Sequence, residues 1–117
     1  MPFVNVQTNI AVSTEHEKSL VERLGPAIEV IPGKVRQNLF IKIEDKQSLY
    51  FGGNNTAPCA MVTIDLFGKS ENEPLSNYVF EICRVLEEEL SIGSDRVYIS
   101  FTECRHWGAN GTVNTVK

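Results

Sequence analysis

Pro2-Phe3-Val4-Asn5-Val6-Gln7 and Ala60-Met61-Val62-Thr63-Ile64-Asp65-Leu66-Phe67 decide the fold, because the same order of elements follows each of them. Both alternate apolar and polar residues, as a strand with one covered face does. After the first comes Thr14-Glu15-His16-Glu17, which has the form of a capping box. Leu20, Leu24, Ala27, Ile28 and Ile31 follow at helical spacing, with a kink expected at Gly25-Pro26 and an end at Pro32-Gly33. Leu39-Phe40-Ile41-Lys42-Ile43-Glu44 is the next strand. After Phe67, Pro74 suits a first helical turn, and Leu75, Tyr78, Val79, Ile82, Leu86 and Leu90 line one helix face until Gly93. Val97-Tyr98-Ile99-Ser100-Phe101 is the last main strand expected.

Pro2 therefore aligns with Ala60 and Phe40 with Val97, which makes the chain one domain, 1–117, of two pseudo-repeats at about 1–57 and 58–117. The predicted fold class is α/β. Two β-α-β units with right-handed crossovers form a four-stranded mixed sheet with both helices on one face. The opposite face is left bare, and its alternating apolar positions call for cover by identical copies.

The 117 residues fit a single core. A hydrophobic fraction of 42% and a charged fraction of 22% are those of an ordinary globular chain. No apolar run approaches the ~20 residues of a transmembrane helix, and no signal peptide is recognisable, so the expectation is a cytoplasmic protein with no membrane partner. A formal charge of −4 leaves no basic stripe for nucleic acid. Cys59, Cys83 and Cys104 are odd in number and have no metal-ligand spacing, which points to free thiols and to no metal or other cofactor.

Pro2 directly behind Met1 carries the chemistry. With Met1 removed, its nitrogen is a secondary amine rather than an amide. An α-amino group titrates near ~8, and burial beside another cation lowers that value toward neutrality, where a general base works best.

With Met1-Pro2, Thr8-Asn9, Gly33-Lys34, Phe51-Gly52-Gly53, Pro58-Cys59-Ala60, Gly68-Lys69 and Asp95-Arg96-Val97-Tyr98-Ile99 in this order, the chain resembles the macrophage migration inhibitory factor family of the tautomerase superfamily. The resemblance runs through nearly the whole chain. It implies a homotrimer with sheets packed edge to edge inside a ring of six helices, and an active site at each subunit boundary. It implies Pro2 as catalytic base, Lys34 as the pocket lysine that holds a substrate carboxylate, and Tyr98 as a tyrosine reaching in from the neighbouring subunit. Small aromatic 2-keto acids of the phenylpyruvate type are the substrates such a site should accept.

The chain also departs from the mammalian members. Ser100 stands where they have asparagine, Phe67 replaces a pocket isoleucine and adds bulk at the wall, and Trp107 lies two places ahead of their C-terminal tryptophan. Their Cys-x-x-Cys is broken, with Val62 at its second site. The expectation is a keto-enol tautomerase using Pro2, with Lys34, Tyr98, Phe67, Ser100 and Trp107 around the substrate. The resemblance further implies a cytokine-like signal, released without a signal peptide, with a cell-surface receptor as partner. The alternative is a non-catalytic receptor-binding protein with a vestigial pocket.

Overall fold

The computed structural model describes every residue from Met1 to Lys117. The strands β1 (Pro2–Thr8), β2 (Phe40–Glu44), β3 (Ala60–Phe67) and β4 (Val97–Cys104) form one sheet in the order β2-β1-β3-β4. β1 runs parallel to β2 and β3 parallel to β4, while the central β1 and β3 are antiparallel, so the sheet reads the same from either edge. The helices α1 (Thr14–Ala27) and α2 (Asn72–Leu90) cover one face. Val4, Val6, Val62, Ile64 and Leu66 pack there against Leu20, Leu24, Tyr78, Ile82 and Leu86, all essentially without solvent contact.

Local structure differs from the sequence reading at three places. The cap of α1 is Ser13 rather than Thr14: its side chain accepts a hydrogen bond from the His16 amide, and the Thr14 capping box does not form. Pro26 lies inside the last turn of α1, which continues through it to Ala27, and the chain tightens into a 3₁₀ turn only at Ile28–Val30. Beyond Phe101, β4 continues to Cys104 and is followed by a hairpin of β5 (His106–Ala109) and β6 (Thr112–Thr115). Asn110 and Gly111 form its turn with φ of 51° and 76°. An Asn-Gly pair suits this geometry because both residues tolerate positive φ.

The open face of the sheet is not the apolar surface expected. The alternating apolar residues of all four strands point to the helices, and Asn5, Gln7, Lys42, Thr63, Asp65 and Ser100 occupy the other side. Larger apolar groups stand only at its ends, Phe3, Phe40 and Phe67 at one and Met61 and Tyr98 at the other. The case for association therefore rests on the unpaired outer edges of β2 and β4 rather than on a greasy face. No helix is long and apolar enough to cross a membrane.

Thr8 and Asn9 latch the long connection between β2 and β3 onto β1. The buried Thr8 hydroxyl donates to the Cys59 carbonyl at 2.8 Å, and Asn9 bonds the Asn55 and Ala57 carbonyls and the Cys59 amide. Thr8→Val keeps the shape but strips the Cys59 carbonyl of this donor. It should destabilise the protein by about 1–3 kcal/mol in urea unfolding at fixed protein concentration. A loss below about 0.5 kcal/mol would show that the latch contributes nothing to stability.

Candidate active site around Pro2

Pro2 opens β1 at the end of the sheet where β2 begins and β3 finishes, paired to Leu66 and one position before the Phe3–Phe40 register. It is buried. In front of it lies a cavity of about 740 Å³ lined by Met1, Pro2, Phe3, Asn38, Phe40, Trp107, Gly108 and Ala109. The sheet supplies one wall and the β5–β6 hairpin the other. The hairpin reaches this end because β4 finishes level with β3, Cys104 opposite Phe67, and the Gly68 amide bonds the Cys104 carbonyl. Most of the lining is apolar, as small-molecule sites are, and the volume is in their usual range.

Lys34 arrives from the turn after α1. Gly33, at φ 82°, reverses the chain there, and the Lys34 amide bonds the Ile31 carbonyl. The half-buried ammonium donates to the Phe67 carbonyl at 2.9 Å. One of its three protons is committed, and the others are free for an anion. Burial holds its pKa below the usual lysine value.

The terminal amine in this structure is that of Met1, whose carbonyl accepts a hydrogen bond from the Phe67 amide. Its pKa is lowered, first by burial and then by the charge of Lys34. Both effects disfavour the ammonium form. Pro2, one residue further in, is buried.

The structure thus brings Pro2, Lys34 and Trp107 to one end of the molecule. Phe67 joins them through its backbone, which holds Lys34 and Met1; within one subunit neither its ring nor Lys34 is among the residues that line the cavity. Tyr98 and Ser100 lie elsewhere in the subunit. Tyr98 is level with Met61 and Gln7, five positions along from Pro2, ~16 Å at about 3.3 Å per residue. Ser100 is level with Thr63 and Asn5, in mid-sheet. Neither can reach its own Pro2.

Tyr98 instead walls a second, apolar hollow of about 440 Å³ with Leu49, Tyr50, Phe51 and Met61. The Phe51 ring stands edge-on to it at 5.1 Å. Arg96 lies over the Phe51 ring at 5.2 Å and donates to the Asn54, Ala57 and Pro58 carbonyls. Tyr98 is 63% exposed and stands on an outer strand, a position open to another molecule.

Sequence reasoning missed Phe3, Asn38, Phe40 and the hairpin backbone at Gly108 and Ala109. The hairpin had a signal in Asn110-Gly111, and parallel alignment of the first two strands would have set Phe40 beside Phe3. No group of three histidine, cysteine or acidic side chains stands close enough together to hold a metal ion.

Known proteins resemble this chain in sequence and in fold. Residues 1–115 match the sequence pattern of the family described as macrophage migration inhibitory factor (MIF). The chain is 32% identical over 121 residues to D-dopachrome decarboxylase-B of Xenopus laevis, covering 98% of both chains. It is 32% identical over 101 residues to macrophage migration inhibitory factor of Mus musculus, covering 86% of each. Its fold superimposes on Leishmania major MIF2 with a TM-score of 0.89, at 23% identity over 97% of both chains. The chain belongs to the macrophage migration inhibitory factor family.

Proposed function

We propose that this protein is a keto-enol tautomerase for small aromatic 2-keto acids of the phenylpyruvate type, with Pro2 as the proton carrier. One observation carries the reading: Pro2 is buried at the floor of an apolar cavity, at a chain end where burial and Lys34 together lower the pKa of the terminal amine. The active form begins at Pro2, whose nitrogen is then a secondary amine, neutral enough near pH 7 to accept a proton.

In the reaction the Pro2 nitrogen takes the proton from the enol hydroxyl as the C2–O bond becomes a carbonyl. It returns that proton to C3, and the reverse direction exchanges the two roles. No atom is gained or lost. Lys34, with donors to spare beyond the Phe67 carbonyl, holds the substrate carboxylate and keeps Pro2 uncharged. Trp107 and the other apolar lining residues receive the ring.

The working unit is a homotrimer, closed through the free edges of β2 and β4, in which Tyr98 of one subunit faces the Pro2 cavity of the next. The distance between Tyr98 and its own Pro2, and its exposure on an outer strand, support this placement. Ser100, on the same face of the same strand, comes with it.

Pro2→Gly replaces the secondary amine by a primary one and removes the ring that fixes its direction. It should lower turnover of phenylpyruvate by about 10²- to 10⁴-fold, the usual worth of a positioned general base. Light scattering should give three times 13.1 kDa for the variant and the parent alike. Turnover close to the parent's across the pH range would assign the proton transfer to another group.

Lys34→Ala should act differently. KM for a carboxylated substrate should rise by the equivalent of ~1 to 3 kcal/mol, the range for a lost charge-assisted hydrogen bond. Activity needs neutral Pro2, so it increases as pH climbs through the proline pKa. Lys34 lowers that pKa, so its removal should move the acidic limb of the kcat/KM profile to higher pH. The move should be partial, because burial is the larger of the two causes. An unmoved acidic limb would show that Lys34 does not act on the amine.

A further inference from the structure

Among the large apolar residues that reach solvent, Phe40 is the most exposed, at 74%. That exposure is of one subunit alone; what marks Phe40 is its place at the Pro2 cavity. Phe40 is the first residue of β2 and sits directly beside Phe3 in the parallel register. Their rings meet edge to face, with centroids 6.2 Å apart and planes at 71°. This contact holds Phe40 in one orientation without covering it. Both residues line the Pro2 cavity, opposite Trp107 on the hairpin. A planar ligand entering toward Pro2 therefore has aromatic surface on two sides, one from the sheet and one from the hairpin.

We infer that the Phe3–Phe40 pair is the shelf on which the substrate ring rests, and that Phe40 determines the preference of this pocket for aryl over aliphatic 2-keto acids. The inference rests on the proposed function for its substrate class, though not on Pro2 being the base. Phe40 takes no part in proton transfer. It acts by offering the ring an aromatic partner that an aliphatic chain cannot use in the same way. Stacking of this kind beyond simple burial corresponds to about three- to tenfold in affinity.

The test compares Phe40→Ala and Phe40→Tyr with the parent. KM is measured for phenylpyruvate, and 4-methyl-2-oxopentanoate serves as an aliphatic competitor in the same assay. Phe40→Ala should raise KM for phenylpyruvate about three- to tenfold, leave kcat within about twofold, and leave the competitor's inhibition constant within about twofold. Phe40→Tyr should restore KM. Equal weakening of both ligands, a fall in kcat alone, or a variant that loses its trimeric mass would overturn the inference, the last by making Phe40 a subunit contact. Trp107 is the chain's one tryptophan and lines the cavity, so ligand binding can also be followed by its fluorescence without turnover. The same selectivity should appear when the Phe40 change is made in Pro2→Gly. Equal weakening of the aryl and aliphatic ligands there contradicts the shelf, whereas undiminished turnover by Pro2→Gly contradicts only the assignment of the base.

Discussion

The ammonium of Lys34 on the carbonyl of Phe67, at 2.9 Å, is the contact on which the rest of the site depends. It ties the turn after α1 to the end of β3, and so sets a positive charge beside the first residues of β1. Burial alone would make an amine there less willing to carry a proton, and a fixed cation adds to the effect. The fold supplies both. β1 is a central strand, so its first residue is flanked by β2 and β3 and roofed by helices. The hairpin from β4 closes the remaining side while leaving a way in for a ligand.

The duplicated topology explains why the site is at one end only. The two β-α-β units give a sheet that reads alike from both edges, yet only the first unit begins with the chain terminus. At the corresponding place in the second unit, Ala60 is an ordinary residue in mid-chain, and the opposite end of the sheet carries Tyr98, Phe51 and Arg96 instead. The Pro2 cavity and an aromatic, cation-stacked surface thus occupy opposite ends of one subunit. In the proposed trimer these ends meet between neighbours.

Much of this could be read from the residues. The strand pattern of Val4 and Val6, its echo in Val62 and Ile64, and the helical spacing of Leu20 and Leu24 report burial against a sheet face, a signal that survives in a single sequence. Pro2 could be named from its place behind Met1, and Lys34 and Trp107 only through the resemblance to a family. What could not be read depends on three-dimensional register. Phe40 gains its meaning from standing beside Phe3, a pairing of residues far apart in sequence. Phe67 looked like a wall because its type was visible, whereas its backbone is what reaches Lys34. The open face looked apolar because alternation was noted without deciding which residues it turned outward. The hairpin is signalled by Asn110-Gly111, a pair whose turn chemistry is local and short, with no long alternating strand on either side to mark it.

The central claim is that the working nitrogen is an amine on Pro2 with a depressed pKa. The most direct measurement is a pH titration of the protein labelled with ¹⁵N-proline, following the Pro2 nitrogen by NMR. The account predicts one proline nitrogen that titrates well below the ~8 of an ordinary α-amino group, and that shifts upward in Lys34→Ala. A proline nitrogen titrating at or above that ordinary value, or no titrating proline at all because Met1 keeps it an amide, would contradict it.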